Sequence, residues 1–221
     1  RRPASRRVVS ARRSGHRLLP KPLRWLWYRF WKNLYLLWLT LAHRLRAQGK
    51  HNLPPRGPYL IISNHQSLHD PPIVGSNVAG EFHPLARESL FRVPVFGWGI
   101  ANCNAIPVRT DGGQDRAAIQ SCIDRLEEGG IVAVFPEGSR TPDGEIHPFL
   151  AGASLIARKA KVPVVPAAIR GAYEVWPRSR KLPKVGGRIR VIYGAPIPVE
   201  TVASLKGAEL TKLFEREDLR L

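Results

Sequence analysis

A histidine and an aspartate five residues apart are the side chains in this sequence best suited to acid–base chemistry. His65 and Asp70 follow a short apolar stretch, residues 59–63. A neutral imidazole takes a proton from a hydroxyl group near pH 7, and a carboxylate on its other nitrogen fixes the tautomer and stabilises the imidazolium that forms. The spacing therefore predicts that His65 acts as a general base and that Asp70 orients it.

A second polar cluster, residues 135–140, also follows an apolar stretch. Its Arg140 carries a planar guanidinium that can bind a phosphate group through two parallel hydrogen bonds. Gly138 lets the backbone approach a ligand closely, and Glu137 is expected to orient Arg140 or to bind a substrate hydroxyl. The cluster predicts an anion site. The alternative is a turn after a strand with a surface ion pair, which contributes little energy.

A metal site is the other interpretation of the histidines. His65 and His69 are four residues apart, the spacing of zinc hydrolases that carry a glutamate after the first histidine of a helix. Here Gln66 takes the place of that glutamate, and the two prolines that follow Asp70 indicate a turn. We therefore predict no metal ligands here, and we expect His69 to be structural or to line the pocket.

The elements that must position these groups alternate along the chain from residue 59 onward. Short apolar stretches predict strands and periodic stretches predict helices; the strands are 59–63, 131–135, 164–169 and 188–193, and the helices are 115–128, 151–160 and 205–219. Such alternation indicates an α/β fold with a mostly parallel central sheet flanked by helices. Functional groups gather beyond the carboxyl ends of such strands, so the two polar clusters share one crevice if their strands are neighbours.

Positive charge is concentrated at the start of the chain. The 221 residues carry a net charge of +18, but residues 1–56 hold 15 Lys or Arg and no acidic residue, while the rest is nearly balanced. Such a segment predicts an anionic partner, either a membrane surface or a nucleic acid. Because no RNA-binding aromatic motif or DNA recognition helix is present, no specific nucleic acid is expected. Of the two cysteines, Cys122 is predicted to be a buried thiol, and a disulfide to Cys103 stays open.

Three segments follow from this distribution. Residues 1–22 are a basic tail that we expect to be disordered or to serve in targeting. Residues 23–48 are an amphipathic helical segment whose apolar residues share one face: Leu23, Leu26, Trp27, Phe30, Trp31, Leu34, Leu37, Trp38, Leu41 and Leu45. Cations interrupt its first half, so it predicts a helix lying in a membrane interface rather than spanning it. The alternative is a helix packed on the protein's own core. Residues 49–221 form the remaining domain.

Four ordered blocks within residues 50–200 resemble those of the glycerolipid acyltransferase family, of the 1-acyl-glycerol-3-phosphate acyltransferase type. They are residues 64–70, 87–97, 135–140 and 162–166. Four blocks in order are far more specific than any single one. The second block usually begins with lysine, where this chain has Arg87; both are cations, but they bind phosphate with different geometry.

The resemblance implies an acyltransferase domain at residues 49–221 and a general-base mechanism. His65, oriented by Asp70, would deprotonate the sn-2 hydroxyl of 1-acyl-glycerol 3-phosphate, which would attack the thioester of an acyl-CoA or an acyl-carrier protein and give phosphatidic acid. Neither a metal nor a cofactor is required. The implied partners are this lysophospholipid, the thioester donor and an anionic membrane surface, on the cytoplasmic face of the inner or plasma membrane.

The same resemblance assigns binding roles residue by residue. Arg140 and Arg87 would hold the acceptor phosphate, Glu137 and Gly138 would shape that pocket, and the acyl or acceptor pocket would include Val165 and Pro166. Two other interpretations stay open. One is an acyltransferase for another lysolipid or for glycerol 3-phosphate, and the other is a catalytically inactive module that binds a membrane or a nucleic acid.

Overall fold

A seven-stranded sheet organises the chain, for which this computed structural model describes residues 16–109 and 115–221. Most of the predicted basic tail, residues 1–15, lies outside the described residues. The strands are β1 (Arg46–Gln48), β2 (Tyr59–Ser63), β3 (Phe82–Arg87), β4 (Ile106–Val108), β5 (Ile131–Val134), β6 (Val164–Arg170) and β7 (Arg190–Tyr193). Their order is β1-β7-β6-β2-β5-β3-β4, and every neighbouring pair is parallel except β6 and β7. The predicted mostly parallel α/β sheet is confirmed.

Helices cover both faces of this sheet. They are α1 (Lys21–His43), α2 (Asp70–Val74), α3 (Glu88–Phe91), α4 (Phe96–Asn102), α5 (Arg116–Glu127), α6 (Gly152–Ala160), α7 (Ala172–Val175), α8 (Val199–Ser204) and α9 (Gly207–Leu219). Side chains alternate across a strand, so β2 supplies two cores: Ile61 packs with Leu39 of α1, whereas Leu60 packs with Phe214 of α9. Burial on both faces explains why residues 59–62 of β2 are all aromatic or aliphatic rather than alternating with polar residues.

The order of the strands brings the two polar clusters together. Strands β2 and β5 are direct neighbours, with Ile61 opposite Ala133 in parallel register. Parallel neighbours end at the same edge of a sheet. Residues 64–70 and residues 135–140 therefore emerge side by side, as the sequence predicted for neighbouring strands.

Helix α1 turns its apolar stripe away from the protein body. The exposed side chains of the stripe are Leu23, Leu26, Phe30, Trp31, Leu34, Leu37, Trp38 and Leu41. The opposite face packs inward: Leu39 and His43 are buried, and the Lys32 ammonium donates to the Val78 carbonyl at 2.9 Å. Trp38 is only partly exposed, because its ring also contacts those of His43 and His69. The helix thus packs on the core with one face and leaves most of the predicted stripe exposed.

The amphipathic segment is helical over most of its length. Helix α1 ends at His43 because Arg44 adopts the left-handed conformation (φ 48°) and its N–H caps the Thr40 carbonyl. The last residues of the predicted segment, 46–48, form strand β1 instead of helix. Within the two described ranges, no helix combines the length and the apolar character needed to cross a bilayer.

The predicted thiols are confirmed. Cys103 and Cys122 are both free, and Cys122 is fully buried on α5.

Buried His83 on β3 makes the stability of this fold sensitive to acid. Its Nδ1 lies 3.1 Å from the Asn104 carbonyl. Burial, followed by the nearby charge of Arg125, lowers the pKa of His83 to about 4. The unfolded chain binds a proton near pH 6.5 and the folded chain does not, so stability present above that pH is lost as the pH falls toward 4.

When the pH falls from 7.5 to 5, the free energy of unfolding of the wild type should drop. In His83→Gln this drop should be smaller by about 2 kcal/mol, because the buried neutral histidine is absent. Urea denaturation at both pH values measures this difference. His51→Gln, at an exposed histidine, is the matched control and should lose as much as the wild type. An equal loss for all three proteins would contradict a lowered pKa at His83.

Candidate active site

The catalytic loop begins where β2 ends, and it holds His65 in a single orientation. The His65 Nδ1 lies 2.7 Å from Asp70 Oδ2, and the ring stacks on Phe135 with 4.3 Å between ring centroids. The side chain is about one-fifth exposed. No described residue forms a hydrogen bond with Nε2, which is not buried. Because an ionised carboxylate only accepts, Nδ1 carries the proton and Nε2 keeps a lone pair free to accept one.

The carboxylate of Asp70 is completely buried and strongly bound. Its Oδ2 accepts three hydrogen bonds: from His65 Nδ1, and at 2.6 Å from each of the backbone N–H groups of Gln66 and Ser67. These donors fold the loop around Asp70, which is the first residue of α2. The predicted pairing of His65 with Asp70 is thus present in the structure as a short hydrogen bond.

The backbone of His65 is tied to the loop after β5. Its N–H donates to Glu137 Oε1 at 2.6 Å, and its carbonyl accepts from the Thr141 N–H at 2.7 Å. Arg140, which precedes Thr141, is therefore brought next to the catalytic loop. The structure joins the two clusters that the sequence placed in one crevice.

Glu137 braces two loops. Its second oxygen, Oε2, accepts from the His147 N–H at 3.1 Å. Burial raises the pKa of Glu137, and the hydrogen bonds from His65 and His147 oppose that rise. Within the described residues Glu137 forms no ion pair with Arg140. Each carboxylate oxygen has a further lone pair, so the predicted contact of Glu137 with the acceptor stays a prediction.

Gly138 takes a conformation that requires glycine. Its φ is 73°, and a Cβ atom there would lie 2.8 Å from the Leu150 side chain. The turn that it forms leads the chain from Glu137 to Arg140. Its predicted place in the phosphate pocket stays a prediction.

Arg140 lies close enough to Arg87 and Arg178 for their charges to act on its guanidinium. Burial lowers the pKa of the Arg140 guanidinium, and the charges of Arg87 and Arg178 lower it further. In the ranges 16–109 and 115–221, no carboxylate forms an ion pair with any of the three. The charge of Asp70 opposes this lowering of the pKa but does not cancel it. Like charges gathered in this way favour an anionic ligand, because a bound anion reduces their mutual repulsion.

Arg178 was not predicted from the sequence. It follows α7, which is tied to the Arg140 loop by a hydrogen bond from the Tyr173 hydroxyl to the Pro142 carbonyl at 2.7 Å. Arg178 stands in a basic run, residues 178–184, and nothing in that run distinguishes it from its neighbours.

The predicted acyl-pocket residues lie inside the sheet. Val165 and Pro166 belong to β6 and are buried, and Val165 packs in the core cluster that also contains Ile61. They precede the carboxyl end of β6 by several residues, so they lie deeper in the sheet than the catalytic loop. Their role in an acyl or acceptor pocket stays a prediction.

Two supporting residues were also missed. The Asn64 side chain exchanges two hydrogen bonds with the Ile169 backbone, at 2.9 and 2.7 Å, and so clamps the ends of β2 and β6 together. Behind it, Asp218 of α9 is buried; burial raises the pKa of this carboxyl well above its ordinary value, and the charge of Glu137 adds to the rise. Asn64 stands beside His65 in the sequence, but its partner is more than one hundred residues away.

No metal site accompanies this arrangement in the residues that the structure describes. Groups of three or more His, Cys, Asp or Glu side chains close enough to hold an ion are absent from those ranges. The chemistry open to these side chains is deprotonation of a hydroxyl by Nε2 of His65, next to a guanidinium cluster that attracts an anion.

Comparison with known proteins identifies relatives of this chain. The family model described as Acyltransferase matches residues 44–170, more than half of the chain. The 1-acyl-sn-glycerol-3-phosphate acyltransferase of Bacillus subtilis is 32% identical over 183 residues, which cover 82% of this chain and 88% of that relative. The crystal structure of the 1-acyl-sn-glycerophosphate acyltransferase from Thermotoga maritima superimposes with a TM-score of 0.73 at 28% identity, over 90% of this chain and 78% of that one.

Plant relatives are longer than this chain. The chloroplastic 1-acyl-sn-glycerol-3-phosphate acyltransferase of Brassica napus is 32% identical over 167 residues, covering 73% of this chain but 48% of the relative. The corresponding protein of Arabidopsis thaliana is 29% identical, and 53% of its length is covered. The chain thus spans about half the length of these plant proteins.

Proposed function

Because this chain belongs to the acyltransferase family, we propose that it transfers an acyl group from a thioester to the sn-2 hydroxyl of 1-acyl-glycerol 3-phosphate. The family membership confirms the resemblance of the four sequence blocks. The donor is an acyl-CoA or an acyl-carrier protein, and the product is phosphatidic acid. The observation that carries the proposal is the free Nε2 of His65 beside the arginine cluster.

The proposed reaction needs a base and an acceptor hydroxyl that is aligned with the thioester carbonyl carbon. Nε2 of His65 takes the proton of the acceptor hydroxyl as its oxygen bonds to the thioester carbonyl carbon. The carbon–sulfur bond then breaks, and the imidazolium returns the proton to the departing thiolate. Asp70 stabilises the imidazolium while it exists. General-base catalysis of this kind contributes about 10²–10⁴-fold to a rate.

The acceptor phosphate is proposed to bind Arg140, with Arg87 and Arg178 beside it. A phosphate monoester carries close to two negative charges at neutral pH, and guanidinium groups bind it through paired hydrogen bonds. Because Thr141 is bonded to the His65 carbonyl, a phosphate held by Arg140 places the rest of the acceptor near the base. Positioning adds to the rate in the same way as it does in intramolecular reactions.

The exposed stripe of α1 is proposed to bind an anionic membrane on the cytoplasmic side. Large aliphatic and Trp side chains lie outward along the helix, and the basic residues 1–56 surround it in sequence. Juxtamembrane Lys and Arg gain about 1 kcal/mol each near an anionic leaflet. A lysophospholipid acceptor resides in the membrane, so this contact keeps the crevice close to its substrate.

An inactive binding module is the less favoured function. A module that only bound lipid would not need the short hydrogen bond between His65 and Asp70, or a free ring nitrogen. The arginine cluster alone does not distinguish 1-acyl-glycerol 3-phosphate from glycerol 3-phosphate, because both carry the same phosphate group.

We expect His65→Ala to lower the rate of acyl transfer at least about 10²-fold while the protein stays folded, because the base is removed. Asp70→Asn should also lower kcat, since an amide does not stabilise the imidazolium. Radiolabelled palmitoyl-CoA with lysophosphatidate in mixed vesicles measures the rate. His51→Ala, at an exposed histidine, is the control. Unchanged turnover in the His65 variant would exclude this mechanism.

We expect Arg140→Gln to raise the KM for lysophosphatidate by about tenfold to a hundredfold, the loss of one charge-assisted contact. The KM for the acyl donor should change by less than about twofold. Arg158→Gln, at an exposed arginine on α6, is the matched control and should leave both constants unchanged. A rise confined to the donor KM would contradict the phosphate role.

We expect Leu41→Glu to reduce partitioning into vesicles that contain phosphatidylglycerol by about tenfold or more, since a buried leucine contributes about 1.5–3 kcal/mol. Sedimentation with the vesicles across a salt series measures the partition coefficient. The matched control is Leu219→Glu on α9, because the two leucines are 75% and 57% exposed. Equal partitioning of the two variants would show that lipid binds another surface.

A further inference from the structure

Helix α1 contacts the catalytic loop through one short hydrogen bond. The Tyr35 hydroxyl lies 2.6 Å from Nδ1 of His69, which is fully buried. His69 is the residue before Asp70, and its carbonyl accepts the Ile73 N–H at the start of α2. The helix whose outer face is apolar therefore holds, with its inner face, the neighbour of the catalytic carboxylate.

The ring of His69 is enclosed by aromatic groups from two elements. Its centroid lies 5.4 Å from Trp38 and 5.7 Å from His43, both on α1, and 4.7 Å from Trp176 after α7. His43 is itself fixed, with Nδ1 at 2.7 Å from the Gly186 carbonyl. His69 is thus packed against α1 by a hydrogen bond and by ring contacts together.

The protonation of this pair follows from its surroundings. Burial, followed by the nearby His43, lowers the pKa of His69 to about 4, so the ring is neutral at working pH. Its Nε2 is buried without a hydrogen-bond partner among the described residues. An N–H at Nε2 can face the surrounding aromatic rings, whereas a bare lone pair there would meet no donor. The Tyr35 hydroxyl therefore donates to Nδ1.

We propose that Tyr35 is a positioning residue for the His65–Asp70 pair, which it holds in alignment from the inner face of α1. The inference rests on the proposed function and deepens it. The path is short: the Tyr35 hydroxyl holds His69, the backbone joins His69 to Asp70, and Asp70 Oδ2 holds the imidazole of His65.

The test is Tyr35→Phe, which removes one oxygen and keeps the ring. The measurements are kcat, both KM values and vesicle partitioning. We expect kcat to fall about tenfold, with both KM values and partitioning within about twofold of wild type. Tyr28→Phe is the matched control: Tyr28 also packs inward from α1 but has no bond to the catalytic loop, and its kcat should be unchanged. An unchanged kcat in Tyr35→Phe, or a loss matched by weaker partitioning, would overturn the proposal.

A double-mutant cycle separates positioning from general loosening. In a His69→Leu background the hydrogen bond is already absent, so adding Tyr35→Phe should lower kcat by less than about twofold further. Fully additive losses would show that Tyr35 acts without His69, and would overturn the proposal. Thermal melts of all four proteins identify any loss that comes from unfolding.

A spectroscopic measurement tests the positioning independently of the acceptor. The proton between His65 Nδ1 and Asp70 gives a downfield NMR resonance, assigned by its absence in His65→Ala. We expect this resonance to shift or broaden in Tyr35→Phe and to stay unchanged in Tyr28→Phe. An unshifted resonance overturns the positioning role. A different result would refute the proposed function instead: the resonance shifts as expected, but the wild type transfers no acyl group to lysophosphatidate.

Discussion

The position of His65 depends on four contacts that leave one ring nitrogen free. Its N–H donates to Glu137, its carbonyl accepts from Thr141, its Nδ1 donates to Asp70, and its ring stacks on Phe135. Three of these contacts come from the segment after β5 and one from the start of α2. The residue therefore cannot reorient without breaking buried hydrogen bonds, each of which is costly to leave unmade. This constraint makes Nε2 a fixed base.

One of these contacts also places the backbone of Arg140. Thr141 follows Arg140, so its bond to the His65 carbonyl keeps the start of the arginine side chain beside the catalytic loop. Arg87 comes from the end of β3, on the other side of β5, and Arg178 from the segment after α7. Three cations that converge from separate elements repel one another. The charge of Asp70 offsets part of this repulsion at Arg140.

Much of the sheet and of the active site could be predicted, because both depend on patterns of neighbouring residues in the sequence. The apolar stretches predicted β2 and β5, the polar residues that follow them pointed to His65, Asp70 and Arg140, and the resemblance of the four blocks added Arg87. The orientation of α1 could be predicted only in part: the stripe is visible in the sequence, but what lies on each side of the helix is not.

Contacts between distant parts of the chain could not be predicted. The contacts of Tyr35 with His69 and of Asn64 with Ile169 leave no pattern among neighbouring residues. Val165 belongs to one of the four blocks, and the resemblance implied a role for it in a binding pocket. Its side chain lies in the core, and the block itself gave no sign of that burial.

A crystal structure with lysophosphatidate and an unreactive thioether analogue of the acyl donor would show whether His65 and Arg140 act on the same acceptor molecule. We predict the phosphate at hydrogen-bond distance from Arg140 and the sn-2 oxygen about 2.6–3.2 Å from Nε2 of His65 in the same complex. A phosphate bound away from the arginine cluster, or an sn-2 oxygen directed away from Nε2, would contradict this prediction.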